Sequence, residues 1–258
     1  MNLDFNAIFV AALAVTGMVV TADILIWKPR RASIVGLDAP APAIASQARS
    51  LFSIILLVLL IRSFVFEPFR IPSASMMPGL VDGDFIVVDK FSYGLRLPIL
   101  NTEILPIGAP QRGDVVVFRL PANPSVHYIK RLIGLPGDHI VVRDNRVFIN
   151  GQVVPLKIEG SYAGGFSFAG AELGIERFGT AQHVLMFAPD RFATDFEAVV
   201  PSGQYFFMGD NRNDSQDSRF PAVGFVPKQN LVGRAMRIWM NWRLPGWPDW
   251  RRIGSKII

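Results

Sequence analysis

The 258-residue sequence contains no cysteine, which excludes disulfides, thiolate zinc sites and a cysteine nucleophile, and leaves the redox state of its compartment undetermined. Histidine is almost as scarce. His127, His139 and His183 lie apart in the second half, without an HExxH or any close pairing, so no metal site is expected. No basic run interleaved with aromatics is present, and the formal charge of +5 with a pI near 9.8 therefore does not point to nucleic acid. A membrane surface accounts for the charge better, because anionic headgroups attract Lys and Arg beside spanning segments. No internal repeat is present.

Apolar residues, by contrast, are abundant: 50% of the chain is hydrophobic and the mean hydropathy is +0.33, both high for a soluble protein. Phe5 to Trp27 is an almost unbroken apolar stretch with the ~20 residues that a helix needs to cross a bilayer. It predicts a first transmembrane helix over 1–27. Asp23 lies within a turn of Trp27 and Lys28, so it is expected at the interface, within reach of water. A cleavable signal peptide would carry its positive charge ahead of the apolar run, whereas Lys28, Arg30 and Arg31 follow it.

A second run, Leu51 to Phe66, predicts another span over 50–66. The linker over 28–49 carries Lys28, Arg30, Arg31 and Arg49 against a single Asp38, which places it in the cytoplasm by the positive-inside rule. Both termini and all that follows residue 67 are then expected on the outer face of the cell's inner (plasma) membrane.

From Pro72 the pattern changes to short β-branched and aromatic runs between turn residues: Phe85 to Val88, Asp114 to Phe118, Ile140 to Val142, Val147 to Ile149, Tyr205 to Met208 and Leu231 to Met240. The expected fold is therefore two N-terminal transmembrane helices followed by a mainly-β catalytic domain, over 67–157 and 201–258. The glycine-rich segment 158–200 reads as a smaller β-rich insertion lobe.

Three segments carry candidate chemistry. Ile71-Pro72-Ser73-Ala74-Ser75-Met76-Met77-Pro78 places two hydroxyls between prolines that restrain the backbone. By itself it is as readily a turn that satisfies its own hydrogen bonds. Tyr128-Ile129-Lys130-Arg131-Leu132-Ile133-Gly134-Leu135-Pro136-Gly137-Asp138 embeds a lysine in an apolar, strand-like stretch. Gly209-Asp210-Asn211-Arg212-Asn213-Asp214-Ser215-Gln216-Asp217-Ser218-Arg219 is a dense polar loop beside an apolar run, a frequent place for function.

Together with Arg112-Gly113-Asp114-Val115-Val116-Val117-Phe118, these segments resemble the ordered motif set of the bacterial type I signal peptidases, over about residues 48–243. The resemblance implies a membrane-bound serine endopeptidase that removes signal peptides from secreted preproteins after small residues, at Ala-x-Ala sites, through an acyl-enzyme. It implies Ser75 as nucleophile and Lys130 as general base, with the Ser75 backbone N–H and the Ser73 hydroxyl as oxyanion hole. Ser215 would orient the lysine, with Asp217, Arg219 and Asp210 bracing its loop. Phe69, Ile71, Pro72, Met76, Val117, Tyr128 and Ile129 match positions that line the substrate pockets, although for Val117 ordinary core is nearly as good a reading.

No cofactor or metal is implied. The partners would be preproteins and the lipid bilayer, with the secretion translocon a further candidate. Two departures stand out: Ala74 where many relatives have glycine, and Asn213-Asp214 where Asp-Asn is common. A lysine of ordinary pKa, about 10.4, is almost wholly protonated at neutral pH, so the base must be desolvated. Strand alternation is expected to point Lys130 inward and Arg131 outward. Three rivals remain at this point: a Ser-Lys autoprotease or other serine hydrolase, a Ser-His mechanism through His127, and an inactive membrane-tethered binding module.

Overall fold

The computed structural model describes residues 5–35, 40–96, 102–164, 168–188, 193–243 and 245–258. The chain divides into two units, Met1–Phe66 with Arg96–Ile104, and Glu67–Leu95 with Leu105–Ile258.

The first unit is a pair of helices. Phe5–Ala22 is α-helical, passes through a π-helical turn at Asp23–Trp27, and continues as the helix Lys28–Val35. Ala43–Phe64 forms the second helix, opening after Pro42, whose fixed φ suits a helix start. Both are long and apolar enough to cross a membrane. They pack at Gly17, where an added Cβ would meet the Phe52 ring at 3.2 Å, so the missing side chain lets the helices approach.

Two features differ from the sequence reading. Much of the expected linker is helical: Lys28–Val35 continues the first helix, and the second opens at Ala43 directly after Pro42. Asp23 does not reach water: its side chain is 1% exposed and accepts from Arg31 Nη1 at 2.8 Å and Arg49 Nη2 at 3.1 Å. Arg31 lies eight residues on and Arg49 comes from the other helix, so a local reading of the first helix could not pair them.

The second unit is mainly β, as the period-two runs predict. Its principal sheet has seven strands in the order Phe66–Arg70, Asp84–Asp89, Leu231–Asn241, Val115–Leu120, Asn123–Gly134, Gln204–Met208 and Val226–Pro227. A second, four-stranded sheet holds Phe196–Val199, His139–Arg143, Arg146–Ile149 and Gln152–Val153. The hairpin between its middle strands turns at Asp144 and Asn145, both at positive φ, a conformation that these two residue types tolerate.

A three-stranded antiparallel sheet, Leu156–Ser161, Glu172–Phe178 and Ala181–Phe187, occupies much of the expected insertion and begins two residues before it, whereas Phe196–Val199, within the expected 158–200, joins the four-stranded sheet. The strand-like stretch from Tyr128 belongs to a longer strand, Asn123–Gly134, at twelve residues the longest among the described residues; its opening is not legible because Asn123-Pro124-Ser125 has turn-like composition.

Within the principal sheet, Val116 pairs with Lys130, Val117 with Ile129 and Phe118 with Tyr128, while Met208 pairs with Arg131. The polar loop therefore leaves the sheet at Gly209, directly beside the strand that carries the lysine. Alternate residues feed separate cores. Val115, Val117 and Ile129 pack with Ile71, Met76, Ile86 and Ile238, whereas Val116, Phe118 and Leu132 pack with Tyr205, Phe207 and Val226.

Candidate active site

Ser75 lies in the turn that follows the edge strand Phe66–Arg70, between buried Ile71 and Met76, which anchor the turn in the core. Lys130 Nζ donates to Ser75 Oγ at 2.6 Å and to the Ile129 carbonyl at 3.0 Å. Both residues are nearly sealed from solvent, Ser75 at 7% and Lys130 at 4% exposure. The Tyr128 ring lies 5.3 Å from Nζ, and its hydroxyl donates to Gln216 Oε1 at 3.0 Å. Burial lowers the Lys130 pKa to about 8, against the pull of Asp217 and Asp210, which favour the ammonium.

The surroundings of Ser75 are open to reaction chemistry. Ser73 Oγ stands 3.3 Å from Ser75 Oγ, and among the described residues no acceptor engages the Ser75 backbone N–H. The Ser75 carbonyl accepts from Asn211 N at 3.1 Å, and Asn211 Nδ2 donates to the Ala74 carbonyl at 3.3 Å, so the polar loop grips the nucleophile's turn.

Gly209 is where the two segments nearly touch. An added Cβ would lie 2.2 Å from Ser215 Oγ and 2.5 Å from the Ser75 carbonyl oxygen. No side chain fits there. Ser215 itself is buried, and its Oγ has no hydrogen-bond partner within the described residues.

Ion pairs hold the loop. Asp217 is fully buried and receives Arg219 Nε and Nη2, each at 2.8 Å, while its Oδ2 accepts from Gly209 N at 2.9 Å. Arg219 Nη2 also reaches the Arg212 carbonyl at 2.7 Å. Asp210 receives a fork from Arg131, Nε to Oδ1 at 2.7 Å and Nη2 to Oδ2 at 2.6 Å.

Arg131 is therefore not turned out to solvent. It occupies the face opposite Lys130, but that face is covered by the polar loop and by Gly113, whose carbonyl accepts Arg131 Nη1 at 2.6 Å. Arg112 fixes the neighbouring turn by pairing with Asp138 and donating to the Ile133 carbonyl.

Of the pocket candidates, Ile71, Met76, Val117 and Ile129 share one apolar cluster, with Phe69 packed against it. Pro72 is exposed beside them. Tyr128 packs instead against the other cluster, 6.2 Å from the Phe118 ring. Val117 is buried among aliphatics, which suits core at least as well as a pocket wall. Among the described residues no cluster of acids and histidines has metal-binding geometry.

The profile of the family described as "Signal peptidase, peptidase S26" matches residues 44–240. A signal peptidase I of Pseudomonas aeruginosa is 38% identical over 98% of this chain and 99% of its own length; one of Pseudomonas fluorescens is 41% identical at the same coverage. The chain belongs to the signal peptidase I family. It is a serine peptidase, and so a hydrolase, carrying two apolar helices of membrane-spanning length. A solved signal peptidase I from Enterococcus faecalis is 30% identical, covering 50% of this chain and 97% of its own, with a TM-score of 0.31.

Sequence reasoning passed over several residues that this signal peptidase builds around its loop. Arg212 is among the most deeply buried large side chains, and it pairs with Glu176 of the insertion, whose carboxylate also faces His183. Their signal was hidden. Each is unremarked in its own segment, and only the fold brings the insertion hairpin to the loop.

Proposed function

We propose that this enzyme removes N-terminal signal peptides from secreted preproteins, with Ser75 as nucleophile and Lys130 as general base. The observation that carries the reading is the 2.6 Å contact between Lys130 Nζ and Ser75 Oγ inside a dry environment that lowers the lysine pKa. Once Nζ is neutral, the same contact runs in reverse: the Ser75 O–H donates to the amine, and proton transfer follows the attack.

Ser75 Oγ adds to the scissile carbonyl while its proton moves to Nζ. The tetrahedral oxyanion is received by the Ser75 N–H and the Ser73 hydroxyl, where one donor is worth about 3 to 4 kcal/mol of barrier. Collapse breaks the C–N bond, and the departing amine takes the proton from Nζ, leaving an ester on Ser75. Water then attacks that ester with Lys130 again as base, releasing the signal peptide's carboxylate and restoring the serine. Ser215 supplies a buried hydroxyl close to this turn through Gly209, and its role is to orient the amine. Asp217, Arg219 and Asp210 hold that loop in place.

The substrate is an extended segment with small side chains at the first and third positions before the cut, lying beside Phe69, Pro72 and Tyr128 over the buried apolar cluster of Ile71, Met76 and Ile129. It pairs as an added strand at the cleft edge. The two helices are spans, the basic residues between them face the cytoplasm, and the β unit works on the outer side of the inner membrane. Exposed Trp239, Trp242, Trp247 and Trp250 suit an interfacial position for that unit. The secretion translocon is a partner in this placement, delivering preproteins to the cleft.

The test is to quench a reaction with a preprotein carrying an Ala-x-Ala site and identify its products by mass spectrometry. A mature N-terminus beginning directly after the second alanine, with a peptide ester on Ser75, is expected. Cleavage elsewhere, or with no adduct under any quench condition that traps other serine acyl-enzymes, contradicts it. Protease added to intact spheroplasts should digest the β unit, and protection there overturns the orientation.

A further inference from the structure

The insertion sheet brings two polar side chains, Glu176 and His183, to the loop that carries Ser215. Glu176 Oε2 accepts from Arg212 Nη2 at 2.5 Å, and His183 Nε2 lies 3.3 Å from the same carboxylate and 3.7 Å from Asp210 Oδ1. All of these groups are buried. Backbone bonds join the same elements: Met186 N donates to the Asp210 carbonyl and Arg212 N to the Met186 carbonyl, each at 2.9 Å, and Ala188 N donates to Asn213 Oδ1 at 2.9 Å.

From Glu176 a continuous chain of contacts leads inward. Arg212, fixed by Glu176, presents its carbonyl to Arg219 Nη2 at 2.7 Å; Arg219 forks onto Asp217; and Asp217 holds Gly209 N at 2.9 Å. Gly209 is the residue wedged between Ser215 Oγ and the Ser75 carbonyl.

We infer that the insertion is the outer mount of the catalytic loop, and that Glu176 and His183 are positioning residues for the Ser75–Lys130–Ser215 site. The inference rests on the dyad reading proposed above. Burying the charges of Glu176 and Arg212 costs several kcal/mol each unless they are paired, so the pair is a costly way to fill space. Its geometry gives it a use. Burial works to raise the Glu176 pKa, but the Arg212 guanidinium outweighs it and holds the carboxylate ionised. His183 is kept neutral, its pKa lowered by burial and by nearby Arg131. Phe178 stacks on its ring at 5.7 Å and 10°, which fixes the imidazole between the two carboxylates. The Arg212–Glu176 pair and the backbone bonds join the hairpin to the loop, while His183 Nε2 and Arg212 Nε have no hydrogen-bond partner among the described residues.

A positioning role is separable from simple stability by counting active sites. Membrane-embedded full-length enzyme is labelled with a serine-reactive titrant, and turnover of a preprotein is expressed per labelled site. Glu176→Gln keeps the shape but removes the charge opposite Arg212; Arg212→Lys keeps a charge but loses the planar fork. Both should lower kcat per labelled site by about 10- to 100-fold, the scale of a misplacement near 1 Å, with KM within about twofold. Should one variant yield no folded protein, the other decides.

Unchanged kcat per labelled site, with only the number of sites reduced, overturns the inference and leaves the cluster a stabiliser. Wild-type enzyme that processes preprotein but takes no label at Ser75 overturns the dyad reading itself, a different failure seen in a different sample.

Discussion

Lys130 and Ser75 meet at 2.6 Å across 55 residues of sequence, with the lysine as donor. Among the described residues the amine's only other hydrogen bond is to the Ile129 carbonyl, and the carboxylates nearest in influence, Asp217 and Asp210, are already engaged by Arg219 and Arg131. Neither acid is free to form an ion pair with Nζ. The lysine is consequently desolvated without a dedicated counter-charge, the condition under which an amine serves as a base near neutrality.

The first consequence is a pH profile. With Lys130 titrating at about 8, kcat/KM of the free enzyme should rise about tenfold per pH unit below that value and level off above it. A profile that turns over near pH 6.5 instead would report a histidine.

Stability should depend on the same proton. The unfolded lysine keeps its ordinary pKa of 10.5 and the folded one titrates at about 8, so between those values the unfolded chain binds more protons. Stability therefore rises with pH across that window, and the full cost, about 3 kcal/mol, is borne below pH 8. Lys130→Met should raise the melting temperature at pH 7 and lose that advantage above about pH 10.5. Denaturation of both proteins across pH 6 to 11 checks the sign.

Gly209→Ala should cost activity steeply. The new methyl would lie under 3 Å from Ser215 Oγ and from the Ser75 carbonyl oxygen at once, so the nucleophile's turn or the loop must move. A loss of about 100-fold in kcat is expected from a displacement near 1 Å, and steady-state kinetics with a melting curve separates it from unfolding.

Asp217→Asn removes the charge from a fully buried pair and leaves Arg219 uncompensated. A loss of about 3 to 5 kcal/mol in unfolding free energy is expected, measured by denaturant titration. Glu197→Gln, at the half-exposed pair with Arg143, should change little.

How far the sequence foretold this arrangement depends on the range of each interaction. Apolar runs of membrane length and the period-two patterns at Asp84–Asp89 and Leu231–Asn241 express themselves within one segment, and both apolar helices and these strands are present. The Ser75 and Lys130 segments were found through resemblance, since a serine between prolines has no distinctive local signal. Asp23, Arg131, Glu176 and Arg212 were misread or overlooked for one reason. Each is a charge whose partner lies on another element, and a buried ion pair has no periodicity to betray it. Arg131 shows the limit most clearly: alternation placed it opposite Lys130, but nothing local disclosed that Asp210 would cover that face.

The most direct measurement is processing of an Ala-x-Ala preprotein by full-length wild-type enzyme beside Ser75→Ala, Lys130→Ala and His127→Ala, each checked for folding by its melting transition. His127 packs against Phe69 with ring centroids 5.3 Å apart and makes no hydrogen bond to Ser75. The account predicts that cleavage is abolished in the first two variants and largely retained in the third. Retained cleavage in folded Lys130→Ala, with loss in His127→Ala, would contradict it.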